Sequence, residues 1–225
     1  MKPTIDHNST NQASKYSERV RWFEIVAVVV TGLGKFLFMD ILNWRLGYIS
    51  VACAFWLGYV IFRYRKDRKI LSYWGFSRMH FKQTFLWLLP VGTGAIILFL
   101  IVGEVMETNI LNWHILPVLI LYPMWGTIQQ FLMVGLVTGN LMELDSLNIP
   151  RWLIVLFTAI LFSVVHFPHV YLVAGTFVLA LVYAAVYMKK KNLYVLGLFH
   201  GWVGAFFFYT ILARDPFGEV FGRML

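Results

Sequence analysis

Hydrophobicity along this chain varies on the scale of a membrane, not of one helix face. After a polar stretch covering residues 1–21, apolar runs recur at Trp22–Met39, Leu46–Phe62 and Thr84–Gly103. Each is close to the ~20 residues that one helical crossing of a bilayer needs, and Glu24 and Lys35, near the ends of the first, are expected to reach the interface. The next run, Thr108–Met142, holds 35 residues and no acid or base except His114. At 1.5 Å per residue it would extend about 52 Å, too long for one straight crossing of a ~30 Å core. Pro117 and Pro123 are therefore predicted to break it, leaving an outer segment and a long helix that carries Gln129 and Gln130. Trp152–Met188 is predicted to split at His166-Phe167-Pro168-His169, and Leu193–Ala213 forms the last helix. The pattern predicts an all-α, polytopic transmembrane helical bundle of about seven spans. Residues 1–21 would form a cytoplasmic tail, 22–213 one transmembrane domain, and 214–225 a short C-terminal tail.

Composition agrees. The chain is 60% hydrophobic and 13% charged, with mean hydropathy +0.70, whereas soluble domains hold roughly 25% charged residues. The net charge of +8 would suit nucleic acid, but its placement points elsewhere. Seven of the 19 basic residues fall between Arg63 and Lys82, and three more form Lys189-Lys190-Lys191. Basic clusters beside apolar spans read as cytoplasmic loops facing anionic lipid. Nucleic acid is excluded as a partner, and membrane lipid is expected as one. With seven spans all basic clusters share one side, so the N-terminus is expected in the cytoplasm of a bacterial plasma membrane. Cys53 is the only cysteine, which excludes an internal disulfide and a thiolate metal site and leaves it a packing role. No removable signal peptide is expected, because the first apolar run has no small-residue cleavage pattern. Asn8-Ser9-Thr10 matches a glycosylation acceptor, read as chance on a cytoplasmic tail.

Strongly polar groups inside spans are costly and point to function. The candidates are Gln129, Gln130, His166, His169 and His200. Counting 1.5 Å per residue from the cytoplasmic helix ends, Gln130 lies about 17 Å deep, His200 about 12 Å and His166 about 22 Å. One shared mid-membrane layer is compatible with these depths. Two histidines on different helices in that layer suit a divalent metal such as zinc, or else each hydrogen-bonds a neighbouring helix. Buried glutamines commonly bond between helices. His169, after Pro168 at a helix start, and His114, near an interface, read as wet surface residues.

Gln129-Gln130-x-x-x-x-Gly135, then Phe162-x-x-x-His166, then His200 in the final helix, resembles the CPBP intramembrane metalloproteases. That family includes CAAX prenyl endopeptidases and bacterial Abi self-immunity proteins. Its pattern is a Glu-Glu pair followed by Arg-Gly, then Phe-x-x-x-His, then His-x-x-x-Asn, on helices around one intramembrane cavity. The similarity covers about residues 117–209. It implies catalytic positions at Gln129 and Gln130, metal ligands at His166 and His200, and a membrane or prenylated peptide as partner. The departures are chemical. Glutamines replace the glutamates, Val134 stands for the Arg, and Gly204 stands for the closing Asn. The family's glutamate activates the attacking water, and an amide cannot accept that proton near neutral pH. None of the 11 acids is expected mid-membrane. A protease-like protein with weak or lost peptidase activity is the first reading. A non-catalytic binding, self-immunity or scaffold protein that keeps the cavity is the alternative. A small transporter with helices broken at prolines is third, and the absence of an internal repeat counts against it.

Overall fold

The computed structural model describes residues 16–144 and 146–221. Most of the polar tail, including Asn8-Ser9-Thr10, therefore lies outside the described residues. Among those described the protein is helical: α1 (Glu18–Ile41), α2 (Arg45–Lys66), a short α3 (Ile70–Trp74), α4 (Phe81–Val105), α5 (Ile115–Leu141), α6 (Arg151–Val164), α7 (Val170–Lys189), α8 (Leu193–Thr210) and a short α9 (Pro216–Phe221). Six of these, α1, α2, α4, α5, α7 and α8, are long and apolar enough to cross a membrane. The remaining expected span, α6, has 14 residues, about 21 Å against a ~30 Å core. It stops short at the break that carries His166. α9 falls where a plain tail was expected.

The fourth apolar run does divide into an outer segment and a long helix carrying the glutamines, but the helix starts at Ile115 and α5 runs unbroken through both prolines. Pro117 sits in its first turn, where the missing N–H would have had no intrahelical partner anyway. Pro123 lies inside the helix and cannot donate to Leu119 O, but the Trp202 indole of α8 donates to that carbonyl at 3.2 Å. A neighbouring helix thus satisfies what proline leaves open.

α5 and α8 are the most intimately packed pair because small residues let their backbones touch. A Cβ added at Gly197 would lie 2.0 Å from Thr127 Oγ1, and one at Gly201 2.3 Å from Pro123 N. Gly126 meets the Gly197 carbonyl in the same way, at 2.8 Å. Where water supplies no drive to bring helices together, such small-residue contacts and interhelical hydrogen bonds supply it. α5 widens to π-helical pitch over Phe131–Thr138, and every residue of that stretch except Leu132 is buried. α5 is the central helix of the bundle.

One end of the bundle gathers the basic segments. Arg21 pairs with Glu143 at 2.7 Å, and Lys191 reaches the same carboxylate at 2.7 Å. Burial pushes the Glu143 carboxyl up, but Lys191, the Tyr73 hydroxyl and Arg21 outweigh it and hold it below the ordinary carboxylate range. Glu24 was expected to reach the membrane interface. It is instead 2% exposed, paired with Arg63 at 2.6 Å and bonded by Asn140 at 2.6 Å. An ionised carboxylate with both oxygens satisfied is tolerable inside a bundle; an unpaired one is not. α1 starts at Glu18, ahead of the expected Trp22, and Arg21 is buried with bonds to Glu143 and Tyr73. At the opposite end His114 is half-buried against Asp215 at 2.5 Å, so it is less wet than expected. Burial raises the Asp215 carboxyl, but bonds from His114, Tyr209 and the Gly218 N–H bring it down to about 2.

Replacement of Gly197 should report on the α5–α8 contact. Gly197→Leu is expected to abolish a monodisperse peak or to lower the melting temperature steeply in detergent, since the new atoms would overlap backbone and not a movable tip. Gly94→Ala, in a helix position with nothing within 4 Å, should be neutral or stabilising by up to about 1 kcal/mol. Equal behaviour of the two variants would refute the close packing.

Candidate functional site

The close pairing of α5 with α8 sets the register that brings their polar residues together. Gln130 Nε2 and His200 Nδ1 lie 2.8 Å apart, and both residues are buried. His166 follows α6, and its Nδ1 bonds the Phe162 carbonyl at 2.7 Å. That carbonyl belongs to the last turn of α6, where main-chain oxygens lack helical partners. The Phe162 ring packs edge-on against both imidazoles, with centroids 4.9 Å from His166 and 5.7 Å from His200. The x-x-x spacing between Phe162 and His166 therefore serves two contacts, one through the main chain and one through the ring.

Two cavities meet at this cluster. The first, about 300 Å³, lies among α4, α5, α7 and α8 and is lined by Gln129, His166 and His200. The second, about 700 Å³, lies between the α1–α2 pair and α5–α7 and is also lined by Gln129 and His166. Trp125 and Leu172 complete the shared wall. Gln129 and Gln130 thus have different situations. Gln129 lines both cavities and makes no hydrogen bond to another described residue, whereas Gln130 lines neither and is committed to His200. His169, at the start of α7, is exposed and lines only the second cavity.

The hydrogen bonds decide which nitrogens are free. A carbonyl only accepts, so His166 carries its hydrogen on Nδ1 and keeps a bare lone pair on Nε2. Gln130 bonds His200 Nδ1 through its amide, which can donate from Nε2 or, turned over, accept at Oε1. A carboxylate at position 130 would accept from Nδ1 and free Nε2 in every case. The Gln130 amide therefore removes a proton acceptor and can bond either tautomer of His200. A catalytic zinc takes three protein ligands. Among the described residues no group of three His, Cys, Asp or Glu is placed to hold a metal. His166 and His200 supply two ligands at most, so the donor set does not by itself fit a resident catalytic metal.

The other departures have structural consequences. Val134 is buried in the π-helical stretch at 1% exposure, a place with no room for a solvated guanidinium. A Cβ at Gly204 would lie 2.9 Å from the Tyr122 ring. Tyr122 therefore fills the space that an Asn side chain would need. Tyr122 and Tyr183 both line the first cavity, and no motif singled them out. Lys35 and Asp40 were also missed as site residues. They line the second cavity, pair at 2.7 Å, and Lys35 donates to the Phe167 carbonyl at 2.5 Å. The available signal was their separation of five residues, which brings side chains together on the π-helical turn Phe36–Ile41 but not on an α-helix. Asp40 is the only acid among the described residues that line either cavity, and it stands beside Lys35 at the mouth of the second, away from Gln130 and His200.

Residues 110–206 match the family model described as type II CAAX prenyl endopeptidase Rce1-like. The match spans α5 through most of α8, the same helices that supply Gln129, Gln130, His166 and His200. The matched residues are similar to CAAX prenyl endopeptidases, and the six long apolar helices mark the chain as an integral membrane protein. No curated protein and no solved structure matches it.

The two glutamines should respond differently to truncation. Gln130→Ala leaves the buried His200 Nδ1 without its partner, which is expected to cost about 1–3 kcal/mol and to lower the melting temperature in detergent. Gln129→Ala should leave that temperature within about a degree, a surface-like response. A larger loss for Gln129 than for Gln130 would contradict the arrangement.

Proposed function

We propose, from the premise that residues 110–206 of this membrane protein belong to the Rce1-like family of CAAX prenyl endopeptidases, that the protein keeps the family's cavity as a binding site while its peptidase activity is very weak or lost. The observation that carries this reading is the amide–imidazole bond between Gln130 and His200 at 2.8 Å. It stands where a hydrolytic site needs a proton acceptor. The occupant is a membrane-embedded peptide, prenylated or not. Gln129 contributes an amide that both donates and accepts, which matches a peptide group, and the apolar walls accept flanking side chains or a lipid chain. His166 and His200 act as hydrogen-bonding groups of this site, and any divalent ion there would depend on ligands from outside the chain.

A second reading, slow hydrolysis, has one observation in its favour. His166 Nε2 is a basic nitrogen at the cavity wall, and an imidazole can take a proton from water. Peptidase activity on a membrane peptide is expected to fall below that of a glutamate-bearing relative by about 10²–10⁴-fold, the usual worth of general-base assistance. Any residual rate should vanish in His166→Ala. Gln130→Glu should raise the zinc content of purified protein measured by atomic emission, and Gln129→Glu/Gln130→Glu should gain hydrolysis only when metal is present. Ordinary enzymatic turnover by the wild type, lost on Gln129→Ala, would sink the proposal.

We also assign the basic end of the bundle to the cytoplasm, on the rule that lysine- and arginine-rich loops stay inside, with a bacterial plasma membrane as the setting. Arg21, Arg63 and Lys191 all engage that end. A reporter fused within residues 66–78 should be active only in its cytoplasmic form. An external signal there would reverse the orientation.

A further inference from the structure

The second cavity has features that peptide binding at the polar cluster does not use. It exists because α2 stands away from the bundle. α2 is fastened to α1 mainly by polar contacts along one face: Tyr48 to the Thr31 carbonyl, Trp56 Nε1 to Thr31 Oγ1 at 3.2 Å, and Tyr59 and Arg63 to Glu24. Only Trp56 and Arg63 of α2 are buried. On the side facing α5–α7 an apolar groove is left open, lined along α2 from Arg45 to Val60. That is a rise of about 22 Å at 1.5 Å per residue, longer than the ~15 Å that half a ~30 Å hydrocarbon core provides.

The groove is asymmetric. Most of its wall is apolar and aromatic, with Trp56, Trp125 and Phe131 in it, while its charged lining residues Lys35, Asp40 and Arg45 all lie around the junction of α1 and α2, taken as its mouth. The groups there are Lys35, Asp40, Arg45 and His169. Lys35 and Asp40 neutralise each other at 2.7 Å. The Arg45 guanidinium has no acidic partner among the described residues, so the mouth carries a net positive charge. A forked guanidinium over a long apolar slot complements a phosphate on a single chain.

We propose that this groove binds a single-chain amphiphile with a phosphate head, the head at Arg45 beside Lys35 and the chain lying along α2 towards Val60. The proposal is independent of whether the polar cluster acts on peptides. The chain would run past Gln129 and His166, which form the wall shared with the first cavity. A lipid-borne phosphate could therefore be held at the mouth while its chain lies beside the polar groups.

Cys53 makes the test direct. It lines the groove and is the only cysteine of the chain. Wild-type protein in phosphatidylcholine nanodiscs would be labelled with N-ethylmaleimide in the presence of hexadecyl phosphate, hexadecanol, hexadecyltrimethylammonium or inorganic phosphate. Hexadecyl phosphate should protect Cys53 at concentrations about tenfold lower than hexadecanol, the worth of one charge-assisted contact. Inorganic phosphate alone should give no protection. Arg45→Gln should bring the phosphate and the alcohol to within about threefold of each other, a loss of most of that contact. Ala52→Trp, which fills the groove, should abolish the difference in retention of radiolabelled hexadecyl phosphate over background. Equal protection by the phosphate, alcohol and ammonium amphiphiles would show a groove that takes any chain. Protection by inorganic phosphate alone would show a free-anion site, and an unchanged preference in Arg45→Gln would show that the head lies elsewhere. Each of these results overturns the proposal, and none of them bears on peptide cleavage.

Discussion

The approach of α5 to α8 is the constraint from which the rest of the site follows. Gly126, Gly197 and Gly201 leave no side chain between the two backbones, so Thr127 and Pro123 sit directly against α8. At that distance the register has little freedom, because a shift by one residue would drive a side chain into a main chain. The register that remains sets Gln130 opposite His200 and the Trp202 indole opposite the carbonyl that Pro123 leaves free. Packing and hydrogen bonding therefore agree, which is what holds two helices together where burial from water gives no drive.

Around that pair the bundle is divided by how its charges are satisfied. At the basic end Glu24, Arg63, Asn140, Arg21, Glu143 and Lys191 tie α1, α2, α5 and the segment after α7 into one network. Breaking one partner of such a buried pair leaves an uncompensated charge, so the network acts more as a specification of neighbours than as a source of stability. It anchors α2 by its far end and one face only. The remaining face stands off, and the larger cavity is the space so produced. The two π-helical stretches, Phe36–Ile41 and Phe131–Thr138, both border the site. One brings Lys35 to Asp40; the other follows directly on Gln130.

The replacement of a carboxylate by an amide at position 130 changes more than one property. An amide donates as well as accepts, so it can set the tautomer of its partner in the direction opposite to a carboxylate. Here it bonds His200 Nδ1 without supplying a proton acceptor for water, while His166 keeps a lone pair on Nε2 through the Phe162 carbonyl. The other two departures from the family pattern are accommodated by packing. Val134 is sealed in the core and Tyr122 covers Gly204. Packing thus fills both positions, which is the physical basis for proposing a binding cavity.

Much of this was legible in the chain itself. Apolar run lengths specified a helical membrane bundle, since a backbone in hydrocarbon must satisfy its own hydrogen bonds. The spacing of Gln129-Gln130, Phe162-x-x-x-His166 and His200 marked the polar layer, because uncompensated polar groups at that depth are too costly to be incidental. The prolines misled, since a missing N–H reads as a break until a group on another helix is found to satisfy the carbonyl it abandons. Glu24 misled in the same way, because its counter-charge lies 39 positions away on α2. The two adjacent glutamines are alike as residues, and only the packing of α8 against α5 separates their roles, burying Gln130 against His200 and leaving Gln129 at the wall between two cavities. Sequence determines which groups must find partners, because that depends on local chemistry and depth; tertiary structure decides which partners they find, because that depends on distances between helices far apart in the chain.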